Sequence, residues 1–214
     1  MNPMSQVVIC PTITAFDKHE YRAQMERIQP FARRVHIDLM DGVFAPTKSP
    51  GLGEVWWPEA LVADIHLMYQ RPMEQVDKLT KLKPNLVVIH QEASVDHTKF
   101  AQAMHASGIK AGLAILSGTP VSTIVNVIQD FDQVLVFSGD LGKHGGVANL
   151  GLLDKVRQLR DQYPQIDIAW DGGISDRNAK QLAEAGVDVL NVGGFIQKAD
   201  DPAGNYGILA RLTG

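Results

Sequence analysis

The chain has 214 residues, 45% of them hydrophobic and 21% charged, with a formal net charge of −4. That composition is globular and carries no basic footprint for nucleic acid, the longest cationic run being Arg33-Arg34. One cysteine, Cys10, excludes a disulfide framework and a thiolate zinc site, and no apolar run nears the ~20 residues of a membrane span.

Residues 1–8 lack a basic segment followed by an apolar one, so a cytoplasmic location without membrane partners is the expectation. The first β-branched run covers residues 7–12, followed by an amphipathic stretch at 17–28. Strands are expected at 34–38 and 63–66, with a weaker helical turn at 51–60 between them. A helix at 72–81 then leads to a strand at 86–90, and a helix at 96–107 to a strand at 110–115. Periodicity predicts a helix over 121–129, a strand at 133–137, and a helix at 150–162. The last units are strands at 167–170 and 189–192, separated by a helix at 176–185 and closed by one at 207–212. Gly108 and Gly186 stand where helices end before the next strand, as left-handed C-caps prefer.

Eight strands separated by helices point to a parallel sheet with crossover connections. Each unit averages about 27 residues, near the lower limit for a closed eight-stranded barrel. The competing open, doubly wound sheet advertises a glycine-rich turn after its first strand, and Thr12-Ile13-Thr14-Ala15-Phe16 has no glycine. With no linker dividing residues 1–214, one β/α (TIM) barrel domain is the expectation.

In such a barrel the chemistry gathers at the C-terminal ends of the strands. Those ends carry Thr12, His36 and Asp38, His66, His90, Ser138, Asp171, and Gly193-Gly194. His36 and Asp38 are two apart on one strand and share a face, which Met40 continues; His66 and Met68 repeat the arrangement on the next strand. Val35, Ile37 and Leu39 then face the helices. Each of these polar residues taken singly is also an ordinary hydrogen-bonded loop residue. Taken together, His36, Asp38, His66 and Asp171 form a nitrogen and oxygen donor set suited to Zn²⁺, Mn²⁺, Fe²⁺ or Co²⁺.

At these residues the chain resembles a known family. His36-Ile37-Asp38-Leu39-Met40-Asp41-Gly42 is similar to the H-[VI]-D-[VI]-M-D-G signature of ribulose-phosphate 3-epimerases. Asp64-Ile65-His66-Leu67-Met68 resembles their D-[VI]-H-L-M segment, and Trp170-Asp171-Gly172-Gly173-Ile174 their V-D-G-G-I segment. Pro11-Thr12-Ile13 stands where the family has P-S-I, and His90-Gln91-Glu92-Ala93 where it has H-x-E-A. The resemblance implies one divalent metal bound by His36, Asp38, His66 and Asp171, with Asp38 and Asp171 as the acid/base pair. It implies epimerisation of a phosphorylated ketose, D-ribulose 5-phosphate to D-xylulose 5-phosphate being the leading expectation, and association into a homo-oligomer.

Inverting a carbon beside a ketone needs a proton removed from one face and one returned to the other, a task for two carboxylates. A metal polarises the carbonyl and stabilises the enediolate. Met40 and Met68 would line the substrate or simply fill space. Thr12 stands in for the family serine against the sugar. The phosphate is expected at Gly172-Gly173 and Gly193-Gly194, with Gly145-Gly146 in the loop after strand 6, because glycine lets backbone approach closely.

That last loop departs furthest from the family. Its usual S-V-N-P-G-F-G-G-Q becomes Ser138-Gly139-Asp140-Leu141-Gly142-Lys143-His144-Gly145-Gly146-Val147. Lys143 and His144 there are either phosphate contacts or solvent-facing residues. The family's H-F-V-P-N becomes Val43-Phe44-Ala45-Pro46-Thr47, and Phe137 and Gly194 replace a common Met and Ser. These changes border the substrate rather than the metal. They keep open a six-carbon substrate such as allulose 6-phosphate, or a sugar-phosphate-binding barrel without turnover. A decarboxylase or aldolase of the same superfamily is disfavoured, because no D-x-K-x-x-D motif occurs. His19, His97 and His105 are expected on helix surfaces and Cys10 in the core.

Overall fold

A computed structural model describes residues 6–143 and 145–214. Eight parallel strands close into a barrel in sequence order: β1 (Val8–Thr14), β2 (Arg34–Met40), β3 (Val62–Met68), β4 (Leu86–His90), β5 (Lys110–Ile115), β6 (Gln133–Phe137), β7 (Asp167–Asp171) and β8 (Val189–Val192). Pairing of β1 with β8, Cys10 opposite Asn191, completes the ring. The expected TIM barrel is the observed architecture.

Both faces of each strand are buried, for different reasons. On β2, Val35, Ile37 and Leu39 pack outward into the main core under the helices, while His36, Asp38 and Met40 occupy the other face. The barrel interior below the site is filled by a separate apolar cluster that includes Cys10, Val88, Leu135 and Ala169. Cys10 is a fully buried core residue, as expected. Lower on the inner face, Arg34 pairs with Asp64 at 2.5 Å, and Asn85 donates to the same carboxylate at 2.8 Å.

The helices around the barrel are α1 (Lys18–Ile28), α2 (Val76–Leu82), α3 (His97–Ala106), α4 (Leu153–Gln162), α5 (Ala179–Glu184), α6 (Gly194–Gln197) and α7 (Pro202–Thr213). Asp17 and Asp96 cap α1 and α3 by accepting the N–H of Glu20 and Lys99. Three expectations are corrected. The segment 121–129 is not a helix but two short 3-10 turns, Val121–Thr123 and Ile128–Asp130. Its run of Val, Thr and Ile is poor helix-forming material, yet Val121, Ile124 and Ile128 still bury against the barrel at the expected spacing. The segment 51–60 forms turns, broken by Gly51, Gly53 and Pro58. The closing helix begins earlier than expected, at Pro202 behind the Asp201 cap. Among the described residues, no helix is long and apolar enough to cross a membrane.

Several strands run further than periodicity predicts: β1 reaches Thr14, β2 Met40, β3 Met68 and β7 Asp171. That extra length carries polar side chains up to the mouth of the barrel.

Candidate active site

Barrel closure brings four of the expected residues to one point. The register places Asp38 beside His66 on neighbouring strands β2 and β3. Asp171 arrives from β7, on a different wall of the barrel. His36 Nε2 lies 3.4 Å from Asp38 Oδ1 and 3.3 Å from Asp171 Oδ2. His66 Nδ1 lies 3.0 Å from Asp38 Oδ1 and 3.8 Å from Asp171 Oδ2. One donor atom from each of the four falls within 4.8 Å of the others. All four are buried.

These groups strongly perturb one another. Burial alone would lower the pKa of His36, but the facing carboxylates of Asp171 and Asp38 outweigh it and push it up to about 10. Burial raises Asp38, and the imidazoles of His36 and His66 outweigh that too, holding its carboxyl well below the usual carboxylate range. His36 Nε2 and Asp171 Oδ2 nevertheless lack a hydrogen-bond partner among the described residues. Two imidazoles and two carboxylates that converge with unmet donor atoms fit a divalent cation, which would replace the proton on His36.

Above the cluster lies a cavity whose lining includes Thr12, Asp38, Met40, Met68, Gly145, Asp171, Gly172, Gly173 and Gly193 among the expected residues. Met40 and Met68 pack with Ala45 at its wall. Thr12 Oγ1 is buried there without a partner among the described residues. Ser138, Gly146 and Gly194 stand beside lining residues rather than among them. The Ser138 hydroxyl instead accepts the N–H of Asn149 at 2.8 Å, and its own N–H donates to the Asp171 carbonyl at 2.7 Å. Lys143 lines the cavity but is exposed and pairs with Asp140 at 3.1 Å; His144 lies outside the described residues.

The β7 glycines are demanded by chain crossing as well as by any ligand. Gly172 and Gly173 have φ of +109° and +70°. A Cβ on Gly172 would sit 2.3 Å from the Gly139 nitrogen, and one on Gly173 2.0 Å from that of Ala148. The loops after β6 and β7 are thus pressed backbone to backbone. The Trp170 indole N–H, donating to the Gly172 carbonyl at 3.0 Å, holds that turn in place.

The structure also brings in residues that sequence reasoning left out of the site. The Thr14 hydroxyl donates to Asp38 Oδ2 at 2.6 Å. Its position two after Thr12 was the available signal, hidden because the strand was expected to end at residue 12. Asn191 lines the cavity, 2% exposed, with both side-chain atoms unpaired among the described residues. His90 is fully buried with its Nε2 2.8 Å from His66 Nε2, and burial together with the charge of His66 lowers its pKa to about 4, against the pull of Glu92. His97, expected at the surface, is half-buried with Nε2 3.2 Å from the His90 carbonyl. His19 and His105 are exposed as expected, the latter pairing with Asp132 at 2.8 Å.

A closed β/α barrel with carboxylates and imidazoles at the C-terminal mouth has the layout of a barrel enzyme. Solved structures share that fold. A 3-hexulose-6-phosphate synthase aligns with a TM-score of 0.73 at 17% identity, covering 97% of this chain and all of that one. KGPDC from Streptococcus mutans aligns with a TM-score of 0.74 at 10% identity, covering 98% of both. The sequence is more specific. The ribulose-phosphate 3 epimerase family profile matches residues 8–196, and this chain belongs to that family. The ribulose-phosphate 3-epimerase of Mycobacterium tuberculosis is 33% identical, over 97% of this chain and 93% of its own. Its namesake from Schizosaccharomyces pombe is 29% identical over 93% and 90%. A relative from Oryza sativa subsp. japonica, 29% identical over 91% and 89%, is named a cytoplasmic isoform. The family is one of isomerases acting on sugar phosphates.

Proposed function

We propose that this chain is a metal-dependent 3-epimerase interconverting D-ribulose 5-phosphate and D-xylulose 5-phosphate. One observation carries the reading: two buried carboxylates, Asp38 from β2 and Asp171 from β7, meet at the same pair of imidazoles on the floor of the cavity. One takes the proton from carbon 3, and the other returns a proton to the opposite face. Held by His36, Asp38, His66 and Asp171, a divalent cation (Zn²⁺, Mn²⁺, Fe²⁺ or Co²⁺) would polarise the substrate carbonyl and offset the negative charge that develops.

The remaining residues bind and orient. The Thr14 hydroxyl fixes one oxygen of Asp38. Thr12 offers its buried hydroxyl to the sugar, and Met40 and Met68 give the planar intermediate a polarizable wall. The phosphate belongs at the backbone of the β7 and β8 loops, Gly172, Gly173, Gly193 and Gly194, with Gly145, Gly146 and Ser138 shaping the neighbouring β6 loop. Family membership supports a cytoplasmic enzyme that associates into a homo-oligomer, which light scattering reads directly.

Deuterium wash-in tests the reading. Metal-loaded protein in deuterated water should label carbon 3 of D-ribulose 5-phosphate and produce D-xylulose 5-phosphate, and chelation should stop both. Exchange confined to a six-carbon ketose phosphate such as allulose 6-phosphate would reassign the substrate. Absence of exchange across five- and six-carbon ketose phosphates would overturn the epimerase.

A further inference from the structure

Behind the four-residue cluster a second line of polar groups runs outward through the barrel wall. His66 Nε2 faces His90 Nε2 at 2.8 Å, with the rings stacked at 28°. On the far side of His90, Nδ1 lies 3.4 Å from Glu92 Oε2. Glu92 is anchored through its other oxygen, which accepts the Leu116 N–H at 3.0 Å and the Thr119 hydroxyl. Lys155 pins that donor loop by donating to the carbonyls of Leu116 and Thr119, each at 2.7 Å. Both histidine side chains are fully buried, and the Glu92 side chain is 24% exposed.

The protons along this line follow from the donor and acceptor capacity of each atom. Two ring nitrogens 2.8 Å apart share one proton, because two N–H groups would repel and two lone pairs would leave the contact empty. Carboxylates, which only accept, stand at both ends of the line: Asp38 Oδ1 is 3.0 Å from His66 Nδ1, and Glu92 Oε2 is 3.4 Å from His90 Nδ1, a pair left without a hydrogen bond among the described residues. A cation on His66 Nδ1 would displace any proton there, leaving the shared proton on His66 Nε2, a lone pair on His90 Nε2 and an N–H on His90 Nδ1 for Glu92 to accept.

We infer that Glu92 is a positioning residue which, through His90, fixes the tautomer that makes His66 Nδ1 a metal donor. The inference rests on the metal centre proposed above and assigns a role to residues outside it. Such partners behind a ligating imidazole typically contribute 10- to 100-fold in metal affinity.

An isosteric substitution reverses the line. In Glu92→Gln the amide oxygen must stay with its two donors, Leu116 N–H and Thr119 hydroxyl, so the NH₂ turns to His90. His90 Nδ1 becomes an acceptor and its proton moves to Nε2. His66 then carries its proton on Nδ1, where a cation would bind. Long-range proton–nitrogen NMR correlations at one fixed free-zinc concentration should find His90 protonated on Nδ1 in the parent chain and on Nε2 in Glu92→Gln. Chelator competition should show zinc affinity falling about 10- to 100-fold in Glu92→Gln, while Glu92→Asp, which keeps the charge, recovers the parent tautomer. A parent His90 protonated on Nε2, or Glu92→Gln with parental zinc affinity, would overturn the inference. Neither measurement uses a sugar, so its failure is separable from that of the epimerase reading, which the exchange experiment decides.

Discussion

The contact between Thr14 and Asp38 offers a direct test of how the site is built. Thr14 Oγ1 donates to Asp38 Oδ2 at 2.6 Å, with the two residues 7% and 8% exposed. The other Asp38 oxygen faces His36 and His66. Thr14 therefore holds the carboxylate against rotation and neutralises a lone pair that water reaches poorly. Thr14→Val preserves the side-chain shape and β-strand preference, and removes only the donor. A hydrogen bond to a charged group contributes about 1.5–3 kcal/mol. If that energy holds Asp38 in the geometry for proton transfer, kcat should fall about 10- to 100-fold, at 1.36 kcal/mol for each tenfold. KM should change little, because the loss falls on the reacting group rather than on substrate binding. The same loss should lower the melting temperature by about 3–12 °C, at about 2–4 °C per kcal/mol for a chain of this size. The assays are carbon-3 deuterium exchange with ribulose 5-phosphate and a thermal melt. Thr14→Val with kcat within twofold of the parent and an unchanged melt would refute the role given to Thr14.

Asp171→Asn should abolish most exchange while leaving circular dichroism unchanged, and parental turnover would remove Asp171 from proton transfer. Gly172→Ala adds a Cβ at positive φ, 2.3 Å from the Gly139 backbone nitrogen. It should cost about 2–5 kcal/mol from backbone strain and overpacking, read by urea unfolding. Glu92 gives a pH signature of its own. Burial raises its carboxyl, and contacts from His90, Thr119 and Leu116 outweigh that, holding it at about 2 against 4.5 for the free side chain. Its folded pKa is depressed, so the stabilisation is present above pH 4.5 and lost as pH falls toward 2. After screening at its solvent-facing side this amounts to about 2 kcal/mol. Urea melts of metal-free protein across that window should therefore be flatter for Glu92→Gln than for the parent chain.

Much of this was legible residue by residue. The strands at 86–90, 110–115, 133–137 and 189–192 matched their β-branched runs to the residue, since apolar side chains on both faces mark a buried parallel strand. The cluster of His36, Asp38, His66 and Asp171 was legible because alternation on a strand sends residues two apart to one side. The helix expected at 121–129 was a misreading: apolar spacing fixed which residues bury, but β-branched side chains denied them a helix. Gly172 and Gly173 read as a phosphate cradle, whereas their lack of a Cβ is also required by the neighbouring loop.

By itself the sequence determined the order of eight strands, the direction of their side chains and four candidate metal donors, because these follow from local periodicity and side-chain chemistry. Only the tertiary structure decided which groups from different strands touch. Thr14 on Asp38, His90 behind His66 and Asn191 in the cavity wall are set by the register between strands as the ring closes. Periodicity within one strand says nothing about its neighbour's offset, and that offset determines which side chains share a level in the barrel.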